Sequence, residues 1–534
     1  MKRKRIPTAA AALLAASVPL GLVTLAAGTA GAAGRTYFVS PSGNDSNAGT
    51  STAAPFRTIQ KAADSTEPGD TVSIMNGTYS ERSAGSNVLT VNRSGRPGAP
   101  ITFTAHPGHH PVIHPIKAWN GISVHGSSHI VIKNLEIKGN NAALTLAGAE
   151  AGSKEGDPTF NTNCLAVERN RSTGVASHHI EVTGNEVHHC AGGGISAIGS
   201  DHVTISGNHV YSNSWYTVYG TSGISILTPR DVDGADPRTY KIRITGNRVH
   251  DNETKIKWEK CRCYSDGNGI IIDTLKGDGD HPAYGGRVLV ADNLSYDNGG
   301  SGIHSYRSQH VDIVNNTAYL NGRSTRMKSY ANIFAHDSTD VRLLNNIAYG
   351  RPGQATNSKS RNTDVTYDFN LYFGSDAPEA KGPNDIVADP KLARPGTAAD
   401  ADFHLTKGSP AIDSGTAFAA VDQGKGVGTG APDRGAYSFG ADAAPGGGKA
   451  SASPGGGQSS TAPASGEQQP STAPAGTAAP DSSGGSSDAG PQANGESGPL
   501  AQTGGSRPGL QFGIAAAVLV LGGGLLLVAR RKRS

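Results

Sequence analysis

A seven-residue pattern that recurs along the chain restricts its fold more than any other feature. His179-Ile180-Glu181-Val182-Thr183-Gly184-Asn185 returns at His202 to Asn208, Lys241 to Asn247, Arg287 to Asn293, His310 to Asn316 and Asp340 to Asn346, with an earlier copy at His129 to Leu135. Two of the steps, Asn185 to Asn208 and Asn293 to Asn316, are 23 residues; steps of 39 and 46 residues add an inserted loop to one unit. Each copy alternates apolar and polar residues, turns at Gly or Asn, and continues into a second short strand such as Glu186-Val187-His188. A further strand precedes it at Gly194-Ile195, Gly223-Ile224, Gly269-Ile270, Gly302-Ile303 and Asn332-Ile333. Such short strands, with no helical stretch between them, do not build βαβ units. They stack instead as coils about 4.8 Å apart, each strand pairing with its equivalents above and below.

The expected fold is therefore all-β, a single-stranded parallel β-helix. Its asparagines fall in one column, where side-chain amides bond along the axis; that structural role accounts for them. A propeller needs units of roughly 40–50 residues with four strands each, which the 23-residue steps disfavour.

The two ends of the chain are read separately. Lys2, Arg3, Lys4 and Arg5, an apolar stretch from Ala9 to Ala27, and Ala30 and Ala32 before Ala33 have the three-part layout of a secretory signal peptide over 1–32. Residues 441–499 are rich in Gly, Ser, Pro, Ala and Gln and read as a disordered linker, because they bury too little to offset ordering entropy. Residues 500–534 end in an apolar span, 512–529, followed by Arg530, Arg531, Lys532 and Arg533. With Leu500-Ala501-Gln502-Thr503-Gly504 upstream, this region resembles the sorting signal of Gram-positive surface proteins, an LPxTG-like pentapeptide in its LAxTG form. The resemblance implies sortase cleavage between Thr503 and Gly504 and attachment to peptidoglycan; a plain C-terminal membrane anchor is the alternative.

Signal and tail hold nine of the 47 basic residues and no acidic ones, which leaves 38 against 44 in the anchored chain. The formal charge of +3 is thus no sign of nucleic-acid binding, and none is expected. In an exported protein, Cys164, Cys190, Cys261 and Cys263 point to disulfides rather than metal. Connectivity is open, with the repeat register hinting at Cys164–Cys190.

Tyr37 to Asp45, Phe56 to Ala62, Gly69-Asp70-Thr71-Val72 and Gly77-Thr78-Tyr79 resemble the N-terminal cap region of pectate-lyase-like right-handed β-helix proteins. Ala388-Asp389-Pro390, Gly408 to Asp413 and Asp433 to Tyr437 are similar to the closing segments of that group. The resemblance covers nearly all of 35–440 within a β-helix domain of 33–440. It implies an amphipathic cap helix from Phe56 to Ser65. It is broad in function, since lyases, hydrolases, epimerases and binding proteins share the fold.

With Ile195, Ile224, Ile270, Ile303 and Ile333 facing inward, strand alternation turns Asp273, His304, Tyr306 and His336 outward on one exposed face, with Arg307 at the adjoining turn. Three insertions, Arg230 to Arg238, Glu253 to Ser265 and Lys276 to Tyr284, fall around the same coils and are expected to line one groove. Each taken singly also reads as surface decoration. Asp266 to Asp273, followed by Gly302-Ile303-His304, is similar to the calcium-holding region of family 9 polysaccharide lyases. That implies Asp266 and Asp273 as metal ligands, calcium as cofactor, and β-elimination on an acidic polysaccharide such as pectate. The sequence departs from the family at Asn268, where a second adjacent Asp is expected, and at His304, which stands in the place of the lysine base.

The expected base is then His304 or Lys276, with Arg307 on substrate charge and Tyr306, His336 and Asp273 in the groove. Asp266 also reads as a turn residue beside Gly267, and His304 as an exposed strand histidine. His106, His109, His110 and His114 read as a solvated turn. Two other functions stay open: a non-catalytic adhesive or carbohydrate-binding solenoid, and a glycosidase using Asp266 and Asp273. The expected partners are the polysaccharide and, through sortase, peptidoglycan; the chain is expected to act as a secreted, wall-anchored monomer.

Overall fold

A computed structural model describes residues 34–440, apart from 328–330, 399 and 422–429. The expected signal peptide, the linker and the sorting signal Leu500 to Gly504 with its apolar span lie outside the described residues.

The fold is an all-β right-handed parallel β-helix. Three parallel sheets run its length, with 11, 8 and 11 strands, and a two-stranded antiparallel pair follows at the C-terminal end. One coil shows the construction: Ile195–Ile198 in the 8-stranded sheet, Asp201–Ser206 in one 11-stranded sheet and His209–Tyr211 in the other. The column Ile195, Ile224, Ile270, Ile303 and Ile333 pairs in register from coil to coil, and all five side chains are fully buried. Val203, Ile205 and Val210 close the same coil from the other two sheets, so every coil adds its own slice of one continuous core.

The asparagine column is a hydrogen-bonded ladder. Asn208 donates from its backbone N and from Nδ2 to Asn247 Oδ1 at 3.0 Å, and Asn247 repeats this toward Asn293 at 2.9 Å. The ladder continues through Asn316, Asn346 and Asn370 and ends on Asp385. A second ladder, Asn213, Asn252, Asn298, Asn321 and Asn332, runs beside the strands that lead into the 8-stranded sheet. Sequence reading singles out only the first column. The residue before each rung of that column takes φ near +60°, first as Gly184, Gly207 and Gly246, then as Asp292, Asn315 and Asn345, and before the last asparagine as Phe369. The left-handed turn explains why this position otherwise alternates between Gly and Asn or Asp.

The cap helix spans Ile59–Ser65, three residues shorter at its start than expected. Phe56 pairs with Val39 as an extended residue, and the Thr58 side chain caps the helix by accepting from Lys61 N. Ile59, Ala62 and Ala63 are buried against the first coil. Cys164–Cys190 is bridged inside the solenoid, as the register hints, and Cys261–Cys263 forms the second bridge.

Candidate functional site

The 8-stranded sheet ends with Ile224–Leu227, Ile270–Asp273, Ile303–Tyr306 and Ile333–His336. Its outward positions form two columns. Leu227, Asp273, Tyr306 and His336 align in one, and Ser225, Ile271, His304 and Phe334 in the other. The structure thus brings Asp273, His304, Tyr306 and His336 onto one patch.

The patch is not exposed, which corrects the expectation. Asp273 is 1% exposed, His304 3%, His336 6% and Tyr306 7%. Large side chains in register at strand spacing shield one another's faces. His304 stacks on Phe334 with centroids 4.7 Å apart, and Tyr306 stacks on His336 at 5.6 Å. The polar edges stay unsatisfied: Asp266 Oδ1, Asp273 Oδ2, His304 Nδ1 and His336 Nδ1 are buried with no hydrogen-bond partner among the described residues. Such groups cost free energy unless something meets them.

Burial sets their charge. It pushes the Asp266 carboxyl up to about 7, against one hydrogen bond from Ser265. It pushes Asp273 well above the usual carboxylate range; the Asp266 charge adds to this, while Thr274 Oγ1, 2.7 Å away, and Arg307 oppose it. Burial takes His304 down to about 3, with His336 contributing, and lowers His336 as well. The patch therefore holds the Asp273 carboxyl toward its protonated form and presents uncharged imidazoles at neutral pH.

The two cations at the adjoining turn differ. Lys276 is pinned: Nζ lies 3.0 Å from Asp337 Oδ1 and 3.1 Å from the Asp337 carbonyl. The ammonium is thus engaged by Asp337 rather than free to turn toward the patch. Arg307 sits one coil further, half-buried at φ +46°, with no hydrogen bond from its guanidinium to a described residue. Its charge is felt by Asp273 and Tyr306.

The three insertions stand on two sides of the sheet. Residues 230–238 and 276–284 follow the site strands and meet where Gly285 N, at the end of the second, donates to Asp231 Oδ2 at 2.8 Å; Tyr284 OH donates to Asp201 Oδ1 of the coil at 2.6 Å. Residues 253–265 precede the site strand Ile270–Asp273 and flank the opposite edge of the sheet, where Ile256 packs with Tyr216 and Val218. The sheet is bracketed from both edges because the insertions leave the coil at two different corners.

The residues present do not by themselves fit calcium. A calcium ion takes six to eight oxygens, whereas the patch offers two carboxyls that burial holds toward their neutral forms. The Asn268 amide is engaged, accepting from Ser301 N and donating to Ser222 Oγ. Among the described residues, Asp201, His202 and Asp233 form the one cluster of three metal-ligating side chains. There the Lys241 ammonium already serves as counter-ion, 2.6 Å from Asp233 and 3.2 Å from Asp231.

Phe334, which strand alternation turns outward in the His304 column, closes one face of His304. One further residue escaped sequence reading: Arg361 acts electrostatically on Tyr306 and His336. It lies past the last site strand, where no repeat copy points to it.

Comparison with known proteins gives the following likenesses. A family model described as "Pel9A-like, right handed beta helix region" matches residues 37–193, and one described as "Right handed beta helix region" matches 120–276. The Uncharacterized protein YwoF of Bacillus subtilis (strain 168) is 36% identical over 107 residues, which is 19% of this chain and 21% of YwoF. The match thus spans about a fifth of that relative's length. The crystal structure of pectate lyase Pel9A shares 18% identity at a TM-score of 0.43, covering 76% of this chain and 96% of that one. The structure of XylC with xylose shares 14% at 0.38, covering 68% and 88%. The chain is similar, over 37–276, to right-handed β-helix regions, the first part of it to the Pel9A-like kind.

Proposed function

We propose that this protein is a carbohydrate-active β-helix, a lyase that cleaves an acidic, uronate-containing polysaccharide such as pectate by β-elimination. One observation carries the reading: four buried polar atoms, on Asp266, Asp273, His304 and His336, gathered around one patch without partners. Their chemistry suits a bound uronate. A protonated Asp273 donates a hydrogen bond to the substrate carboxylate, and Arg307 adds positive charge, so the proton on the carbon next to the carboxylate becomes more acidic. His304, uncharged and roughly 7–8 Å diagonally across the strands from Asp273, accepts that proton. The electron pair of that C–H bond becomes a C=C bond as the C–O bond β to the carboxylate breaks; the departing oxygen takes a proton from water, and an unsaturated sugar end remains. The burial that keeps His304 neutral also makes it a weak base; an anionic substrate beside it raises its proton affinity. Tyr306 and His336 wall the sugar.

A second reading is a glycosidase in which Asp266 and Asp273, two carboxyls that burial pushes up beside one sheet, supply acid and base. The third is an adhesive solenoid. We further propose that the protein is secreted and held on the cell wall through Thr503; the order of pentapeptide, apolar span and basic tail supports this.

The test mixes purified protein with a panel of acidic polysaccharides, with calcium and then with chelator, and follows ultraviolet absorbance, reducing ends and binding. A rise in absorbance that His304→Ala abolishes supports the lyase. New reducing ends without absorbance point to hydrolysis, and saturable binding without either points to adhesion. Activity that persists in chelator matches the sparse donor set, and strict dependence on calcium would overturn the assignment of carboxylate binding to Asp273 and Arg307.

A further inference from the structure

The two disulfides of this chain sit in opposite surroundings. Cys164 and Cys190 are fully buried and lie 26 residues apart, so their bridge ties one coil to the next. Cys261 and Cys263 are two residues apart at the tip of the 253–265 insertion, and Cys261 and Arg262 are exposed.

The second bridge does little for the fold. Closing so short a loop removes little entropy from the unfolded chain. The tip is already closed by the backbone, with Trp258 N donating to Cys263 O at 2.8 Å and Arg262 N to Trp258 O at 2.7 Å. Arg262, between the two sulfurs, is held at φ +53°, a region that a residue with a side chain seldom occupies. Opening the bridge relieves that constraint. Lys260 and Arg262, on either side of Cys261, also place positive charge where thiolates would form.

We propose that Cys261–Cys263 is a thiol–disulfide exchange site that reacts with low-molecular-weight thiols. An external thiolate attacks the exposed sulfur of Cys261, the S–S bond breaks, and Cys263 departs as a thiolate that takes a proton from water. A second external thiolate then attacks the external sulfur of the mixed disulfide and releases Cys261 as a thiol. The bridge gains two electrons, and the two external thiols lose them as they join in a disulfide. The stem of the insertion survives the opening. Glu253 pairs there with Arg326 at 3.3 Å and Arg323 at 3.4 Å, and it packs against Gly267, next in the chain to Asp266. Exchange therefore loosens the tip and leaves the coil stack intact.

The full oxidised chain is incubated with graded dithiothreitol, trapped with iodoacetamide and mapped by peptide mass. Cys261 and Cys263 are expected to become alkylated at a dithiothreitol concentration about ten-fold or more below that needed for Cys164 and Cys190. Arg262→Gly, which relieves the backbone and removes one charge, is expected to raise the concentration required. Alkylation of all four cysteines together, labelling of Cys261 and Cys263 only on unfolding, or labelling without any reductant would overturn the proposal.

Discussion

His304 lies flat on Phe334 of the next coil, ring planes 8° from parallel, with its Nδ1 buried and unpartnered. The ring is held by packing rather than by a hydrogen bond, so its free nitrogen is available to whatever enters the patch. Replacing His304 with Gln should leave the fold intact and lower turnover by about 10²–10⁴-fold, the usual share of a general base. Circular dichroism alongside the ultraviolet assay checks both halves of this expectation.

Asp273 offers a test of charge state. A protonated carboxyl donates one hydrogen bond, and an amide of the same shape can donate as well. Asp273→Asn should therefore retain activity to within about ten-fold, whereas Asp273→Ala should lose about 10²-fold, leaving the substrate carboxylate without its donor. Equal losses in the two variants would mean that the ionised carboxylate is what matters.

Acid sensitivity should come from the aromatic stack on one of the 11-stranded sheets. His209 Nε2 and His250 Nε2 lie 2.9 Å apart, and burial lowers His209 to about 4 and His250 to about 2. Above the ordinary histidine value of 6.5, both are neutral folded or unfolded; below it, the unfolded chain binds protons that the folded chain refuses. Stability should thus fall as pH drops from 6.5 toward 4. Asp266 has the opposite sign: it keeps its proton up to about 7 when folded, so its contribution is lost as pH rises through 7. Thermal melts of His250→Gln should show a flatter acid limb and an unchanged alkaline one.

Removing the buried bridge should be costly to the scaffold. The Cys164→Ala, Cys190→Ala double variant is expected to lose about 3 kcal/mol, from a loop of this length together with lost packing. Urea titration measures it, and a loss below about 1 kcal/mol would show that neighbouring coils hold this turn without the bridge.

Much of the architecture was legible in the sequence because a β-helix repeats its physics locally. Each coil must show an inward Ile or Val, a left-handed turn and a ladder asparagine, so Ile270, Gly207 and Asn208 announce themselves by spacing alone. Strand alternation likewise placed Asp273, His304, Tyr306 and His336 on one outward patch. The second asparagine ladder went unread because Asn213, Asn252 and Asn298 sit at the mouths of insertions of unequal length, which blur the period.

Tertiary structure decided the rest. Whether an outward side chain is wet depends on its partners in the column, and the stacking of His304 on Phe334 and of Tyr306 on His336 turned an expected exposed face into a buried one. That burial, which no residue carries in its own identity, pushes Asp273 toward its protonated form and keeps His304 neutral. The pinning of Lys276 by Asp337, 61 residues away along the chain, belongs to the same class. Sequence fixes period and alternation, because these are local; burial, and with it charge, arises only when distant coils meet.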